Sequence, residues 1–283
     1  IRDVERSRGL GDVYKRQEIC DYAESEIIKR GAKCAFPVNT SLNEIAAHYT
    51  AEPNDTKTVS DSDLIKIDLG AQINGYIADT AVTVNYNQEY DSLVQAAENA
   101  LEAAMSMIKS GVKSKDVGRK IQNTIQDMGF KPIANLSGHS LDQYTIHAGK
   151  TVPNMWSIGS FDFSENEAYA CEPFVTAKNG LGFVRNGKVK NIFALSSRKR
   201  TKDDEADKVQ EYIWNNFNML PFALRWLLNE WEEKEARRLL DILIKKKVVK
   251  AYAILVEASG KTVAQAEHTF IPNQTGVTVT TIG

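Results

Sequence analysis

The sequence predicts an α+β fold with a small helical subdomain inserted into it. Two short apolar runs, 64–69 and 76–84, flank a turn that contains Gly and Asn, and this pattern is typical of a β-hairpin. Apolar residues at helical spacing follow from Tyr90 to Lys109 and again over 115–127. A further helical stretch, rich in aromatic residues, separates these segments from the strands predicted near the end of the chain.

Each predicted hairpin strand carries one aspartate among apolar neighbours, Asp68 in the first and Asp79 in the second. An ionised carboxylate in apolar surroundings is costly unless a cation holds it. If the strands pair, we expect the two side chains to lie side by side, where their charges repel unless a proton or a cation lies between them. A metal site is one interpretation. The other is that one aspartate caps a turn and its counterpart faces solvent.

The same kinds of pattern assign other segments. Helical spacing begins near Glu18 and ends at Gly31. Ser41 and Glu44 resemble a capping box, which marks the start of a helix. Strands are predicted at 167–177, 248–256, 263–271 and 277–282.

We divide the chain into four parts. Residues 1–17 mix charge with glycine, lack a clear period and form an atypical N-terminal segment. Residues 18–196 form the first part of the main domain, and residues 248–283 supply its closing strands. Between them, residues 197–247 begin with a charged connector and continue as about three helices, the inserted subdomain, with Trp226 and Trp231 in its core.

Composition excludes several classes of protein. A net charge of -2 gives no overall electrostatic signature for nucleic-acid binding. No apolar run is long enough to span a membrane, and we see no signal peptide, although the chain begins at Ile1. Three cysteines without close spacing, Cys20, Cys34 and Cys171, favour free thiols in a reducing compartment. We therefore expect a cytoplasmic protein.

Four acids stand alone in otherwise apolar strands, namely Asp68, Asp79, Glu172 and Glu267. Lys66 is the one basic residue close to any of them in sequence, so separate ion pairs do not account for all four. Divalent ions would neutralise them together, and carboxylates with an imidazole suit Mn, Fe, Co or Zn. Bridging acids suit a pair of ions. Any single acid remains open to the interpretation of an ordinary, satisfied core residue.

These acids and their surroundings resemble the methionine aminopeptidases, metallopeptidases of the pita-bread fold. The matching segments are 46–50, 66–70, 77–79, 138–140, 146–150, 170–174 and 265–269. The insertion, with residues 216–222 and 225–227, is similar to the type 2 subgroup in its short, archaeal-like form. The resemblance covers residue 18 to the end and fails over residues 1–17, where the family has its first helix.

The resemblance implies a site with two divalent ions. Asp68 would chelate one ion, Asp79 and Glu267 would bridge both, and His139 and Glu172 would complete the shell of the other. His48 and His147 would lie in the active site without binding metal. The implied pocket for the methionine side chain contains Phe36, His48, Ile146, His147, Phe174 and Tyr252. From the residues alone, an ordinary core position remains the alternative for all of these except His147.

The implied reaction is removal of the N-terminal methionine from nascent proteins by hydrolysis, with a metal-bridging hydroxide as nucleophile. Glu172 would shuttle a proton, His147 would donate to the oxyanion, and His48 would contact the scissile nitrogen. We expect the N-termini of nascent polypeptides as partners, a transient association with ribosomes, no membrane, no specific nucleic acid, and a monomer.

Two alternatives stay open. A proline-specific peptidase of the same fold would share the five metal ligands, although the helical insertion and Phe36, Ile146 and Tyr252 argue against it. A metal-free, non-enzymatic binding protein of the same fold is the other alternative. All five ligand positions hold residues that bind metals, which argues against that interpretation.

Overall fold

The computed structural model describes residues 14–282. The predictions for residues 1–13 lie outside the described part. The first elements of the described chain are α1 (Arg16–Lys29), β1 (Lys33–Leu42), β2 (Ile45–Ala47), β3 (Leu64–Ile73) and β4 (Tyr76–Asn85). Strands β3 and β4 pair antiparallel around a turn at Asn74 and Gly75, so the predicted hairpin is confirmed.

A pair of helices follows the hairpin. After a short 3₁₀ turn (Gln88–Tyr90) come α2 (Asp91–Met107) and α3 (Ser114–Asp127), which confirms both predicted helices. The apolar faces of these two helices pack into the largest described hydrophobic cluster, together with residues such as Tyr169 and Phe270 from the strands beneath them. Short strands follow: β5 (Lys131–Pro132), β6 (Ser137–Leu141), β7 (Thr151–Pro153), β8 (Ala168–Cys171) and β9 (Phe174–Thr176).

The last third of the chain contains the inserted helices and the closing strands. Its elements are β10 (Val184–Leu195), α4 (Asp204–Phe217), β11 (Phe222–Ala223), α5 (Leu224–Leu227), α6 (Glu233–Lys245), β12 (Val249–Glu257), β13 (Val263–Gln265), β14 (His268–Pro272) and β15 (Val277–Val279). The inserted helices share a hydrophobic cluster with Phe193 and Leu195 of β10. Trp226 and Trp231 pack against that cluster, as predicted.

The described strands form four small sheets. Their orders are β1-β3-β4, β11-β10-β12-β2, β13-β9-β5 and β15-β14-β8-β6-β7. None of the helices in the described range combines the length and the apolar character that a membrane crossing requires.

Three local predictions were wrong. The sequence around Ser41 and Glu44 starts no helix, because the chain turns from β1 into β2 at Asn43, whose amide oxygen accepts from the Leu64 N–H at 3.0 Å. The strands predicted at 167–177 and 263–271 are each interrupted, at Glu172 and at Glu267. The final strand ends at Val279, three residues before the predicted end.

Candidate metal centre

The β3–β4 hairpin supplies two carboxylates to one face of its sheet. Its register pairs Asp68 with Ala81 and Gly70 with Asp79. The aspartates therefore share a face but lie diagonally, two positions apart, which corrects the expectation that they stand side by side. Gly70 matters because a Cβ there would lie 2.3 Å from the Phe36 ring. The missing side chain lets that ring lie against the strand opposite Asp79.

Glu267 reaches the hairpin from the far end of the chain. Glu267 lies between β13 and β14 and forms an isolated β-bridge with Ala81 of β4, in which its N–H donates to the Ala81 carbonyl at 3.0 Å. Thr269, two residues later, accepts from the Asp79 N–H and donates to the Asp79 carbonyl, both at 2.8 Å. These contacts fix Glu267 relative to Asp79, although the two acids are 188 residues apart in sequence.

His139 and Glu172 come from neighbouring strands of the five-stranded sheet. His139 of β6 pairs with Ala170 of β8, and Glu172 follows directly after β8 ends. Pro173 cannot donate to the ladder, which explains why the strand stops at this acid. The Asn154 side chain donates to the Glu172 carbonyl at 2.9 Å and satisfies the backbone at the break.

The side chains converge. Ligand atoms of Asp79, His139 and Glu267 all lie within 4.8 Å of one another. The His139 Nε2 is 3.8 Å from an Asp79 oxygen and 3.7 Å from Glu172 Oε1. Asp68 lies at the edge of this group, close enough for its charge to act on Asp79, Glu172 and Glu267.

Burial and mutual repulsion disfavour the ionised forms of these acids. Burial raises the pKa of Asp68 to about 7. Burial, and then the charges of the neighbouring carboxylates, raise the pKa of Asp79, Glu172 and Glu267 well above their usual values. Lys66 does not neutralise them, because its Nζ donates to the Asn43 carbonyl at 2.8 Å.

The donor set fits divalent cations. One carboxylate oxygen of Asp68 and one of Asp79 are buried and accept no hydrogen bond from the described residues. Four desolvated carboxylates and one imidazole need positive charge, and such hard oxygen donors with one nitrogen suit Mn, Fe, Co or Zn.

The two further histidines lie on either side of the predicted site. The His147 ring centroid is 4.3 Å from that of His139, in an edge-on contact. The His48 ring lies 5.9 Å from that of Tyr252, and its backbone adopts a left-handed φ of 65° directly after β2. Burial lowers the pKa of His48 to about 4 and also lowers the pKa of His147. Both imidazoles are therefore neutral near pH 7.

The residues predicted to line the methionine pocket fall into separate groups. Phe36 and Ile146 share one hydrophobic cluster with Leu220. Tyr252 instead contacts His48. Phe174 packs in a different cluster, with Ala46 and Ala47. The structure thus brings some of these side chains together in pairs, and their role in binding methionine stays a prediction.

Sequence reasoning missed residues that support the site. Thr269 clamps the Asp79 backbone, and its position two residues after Glu267 on the same strand was the available signal. Leu220 reaches the Phe36 cluster from the inserted subdomain, and nothing in the helical pattern around it distinguishes it from a core residue of that subdomain.

Comparisons with known proteins identify the family of this chain. Metallopeptidase family M24 matches residues 8–192. A methionine aminopeptidase of Methanocaldococcus jannaschii is 39% identical over 267 residues, 94% of this chain and 89% of the relative. A methionine aminopeptidase of Pyrococcus horikoshii is 40% identical over 265 residues, 93% of this chain and 89% of the relative.

Solved structures share the fold. A methionine aminopeptidase from Rickettsia prowazekii has a TM-score of 0.67 at 17% identity, covering 95% of this chain and 86% of its own. A thermophilic Arx1 has a TM-score of 0.78 at 17% identity, with 98% and 85% covered. An X-Pro aminopeptidase from Thermotoga maritima has a TM-score of 0.58 at 17% identity, with 96% and 54% covered.

At these identities the structures bear on the fold alone, and they confirm the predicted pita-bread fold. The sequence relatives are similar enough over enough of their length to establish the family. The chain therefore belongs to metallopeptidase family M24 and, within it, to the archaeal-type methionine aminopeptidases, so it is a metallo-aminopeptidase that uses divalent metal.

Proposed function

We propose that this chain removes the N-terminal methionine from polypeptides by hydrolysis, at a centre that holds two divalent ions. The observation that carries the proposal is the convergence of Asp79, His139 and Glu267, with Glu172 beside them. The names of the relatives, all methionine aminopeptidases in the group compared, support the choice of substrate.

Each ligand has an assigned place. Asp68 would hold one ion, Asp79 and Glu267 would be shared by both, and His139 and Glu172 would complete the ligands of the second. The ions, Co, Mn, Fe or Zn, supply the positive charge that makes water nucleophilic near pH 7 and polarises the scissile carbonyl. In the folded chain their charge also offsets the repulsion among the buried carboxylates.

Glu172 is the proton carrier. Its carboxylate takes a proton from the attacking water and returns a proton to the nitrogen of the leaving amine. The position of Glu172 at a strand break leaves the side chain facing His139, at 3.7 Å, while Asn154 holds the backbone.

The histidines act as neutral hydrogen-bonding groups. His147 donates to the oxygen that becomes negatively charged in the tetrahedral state, which favours that state over the planar amide. His48 contacts the nitrogen of the scissile amide. Since the pKa of His48 is lowered to about 4, the ring remains neutral and places no positive charge beside the scissile amide.

The apolar wall next to the centre receives the thioether. Phe36 and Leu220 are apolar and buried, and Ile146 is apolar and partly buried against them. Tyr252 closes the His48 side, and we retain Phe174 as a predicted contact. Such a lining, with few polar groups, is typical of small-ligand pockets.

A peptide assay tests the proposal. Purified chain loaded in turn with Co, Mn, Fe or Zn is offered Met-Ala-Ser and an X-Pro peptide, with and without chelator. We expect release of methionine from Met-Ala-Ser that stops when chelator is added. Cleavage of the X-Pro peptide with no release of methionine would support the proline-specific alternative. No cleavage of either peptide with any of the four metals would contradict the proposal.

Two finer predictions go with this function. We expect a monomer, which size-exclusion chromatography with light scattering measures. A transient association with ribosomes would show as co-sedimentation that is lost at high salt.

A further inference from the structure

Lys250 is an exposed cation on strand β12, on the same face as Tyr252 two residues later. Its Nζ lies 4.5 Å from the centre of the Tyr252 ring. That ring is in turn 5.9 Å from the ring of His48. The Tyr252 ring therefore lies between the Lys250 ammonium group and His48, the histidine proposed to contact the scissile nitrogen.

No ion pair within the described part of the chain neutralises the charge of Lys250. Among residues 14–282, no carboxylate oxygen lies within 4.0 Å of its Nζ. Arg237 and Arg238 of the inserted subdomain differ, since Arg237 pairs with Glu52 and Glu233, and Arg238 pairs with Glu235. The acids of the metal centre do not serve as partners either, because bound dications would offset them.

The position of Lys250 relative to the substrate follows from the proposed function, on which this inference rests. His48 contacts the scissile nitrogen, so the residues after the methionine leave the centre on the His48 side. From the scissile nitrogen, two residues of extended chain span roughly 7 Å and a glutamate side chain extends a few ångströms further, which is about the reach of the two ring contacts from His48 to Lys250. The third residue of the substrate therefore passes near the ammonium group.

We propose that Lys250 makes the enzyme prefer substrates with an acidic side chain near the third residue and disfavour basic ones there. A partner carboxylate would form an ion pair at the rim of the cleft, where water partly screens the attraction. The preference is thus moderate and depends on ionic strength.

The test compares three peptides amidated at the C-terminus, Met-Ala-Glu-Ser, Met-Ala-Gln-Ser and Met-Ala-Lys-Ser. In the wild type we expect kcat/KM to be about two- to fivefold higher for the Glu peptide than for the Gln peptide, and lower by a similar factor for the Lys peptide. Half-molar salt should bring these ratios close to one. Lys250→Met should abolish them, and Lys250→Glu should reverse their order.

A matched control removes the same charge elsewhere. Lys234 is exposed on helix α6, so Lys234→Met should keep the wild-type ratios. Equal kcat/KM for the three peptides in the wild type, or ratios unchanged by Lys250→Met, would overturn the inference.

A binding measurement separates the inference from the proposed function. Dissociation constants of the three peptides for the Glu172→Gln variant need no turnover, and we expect the same order of affinities and its loss on adding Lys250→Met. If the wild type cleaves no methionyl peptide, the proposed function fails, and these dissociation constants still decide the role of Lys250. Cleavage without a charge preference contradicts only the role of Lys250.

Discussion

Replacing Arg225 by methionine is expected to destabilise the protein by about 4 kcal/mol at neutral pH, because it leaves a buried carboxylate without its partner. Arg225 belongs to the inserted subdomain, and its guanidinium pairs with Glu24 of helix α1. The two side chains are only 6% and 10% exposed. The same guanidinium donates to the Thr50 hydroxyl at 2.8 Å and to the Ala51 carbonyl at 3.2 Å.

The magnitude follows from what remains after the substitution. Glu24 would keep hydrogen bonds from the Trp226 indole at 2.8 Å and from the Val38 N–H at 3.0 Å, but no cation within the site. Removing one partner of a buried ion pair lowers the free energy of unfolding by about 3–5 kcal/mol. Adding Glu24→Gln to Arg225→Met removes the orphaned charge, so the double variant should recover part of that loss.

The pKa of Glu24 predicts how the stability loss in Arg225→Met depends on pH. Burial already raises the pKa of Glu24 above its ordinary value of 4.5, and loss of the Arg225 charge raises it further. A carboxyl whose pKa is raised by folding binds more protons in the folded state, so its contribution to stability falls as pH rises through 4.5. The destabilisation by Arg225→Met should therefore be smaller at pH 4 than at pH 7.5.

Urea unfolding followed by circular dichroism measures these differences, with m-values compared between variants. The control is Arg238→Met, because the Arg238 side chain is 49% exposed and its ion pair with Glu235 is screened by water. This variant should lose much less stability than Arg225→Met. A loss below about 1 kcal/mol for Arg225→Met, or a loss that grows at pH 4, would refute the account of this ion pair.

Four further predictions concern the metal centre. Glu172→Gln should lower kcat on Met-Ala-Ser by about 10²–10⁴ while inductively coupled plasma analysis still finds metal, and wild-type turnover would exclude the proton-carrier role. His139→Ala should lower metal occupancy together with rate, so full loading of both sites in that variant would contradict the ligand assignment. Chelation should lower Tm, since saturation at 100 times Kd contributes about 2.7 kcal/mol. In the metal-free chain Tm should also fall as pH rises from 6.5 to 8, above the ordinary pKa of histidine, because the pKa of Asp68, raised to about 7, makes ionisation in the folded state unfavourable.

The hairpin and the helices could be predicted because their signals are local. Alternating apolar residues around Asp68 and Asp79 and the 3.6-residue period over 91–107 depend only on neighbours along the chain. The lone acids indicated a shared site for a physical reason, since isolated buried charge requires compensation.

Other features depend on contacts that the sequence does not display. The strands break at Glu172 and Glu267, where the backbone is held by the Asn154 side chain and by Ala81 rather than by a continuous ladder. The resemblance to a capping box at Ser41 was overridden because Asn43 makes a tertiary hydrogen bond to Leu64. The separate positions of Phe36 and Phe174 likewise depend on how sheets pack, which periodicity does not encode.

The wide sequence separation of the acids has a consequence for biosynthesis. Asp68 and Glu267 are drawn from strands formed early and late along the chain, so an intermediate that lacks β14 offers an incomplete set of donors. With the proposed ligands, bound cations would join remote strands much as a cross-link does, and closing so long a loop would remove many disordered conformations. A ribosome-bound precursor would stay inert until its last strands emerge, and a prematurely terminated product would expose unneutralised acids that favour its unfolding and degradation.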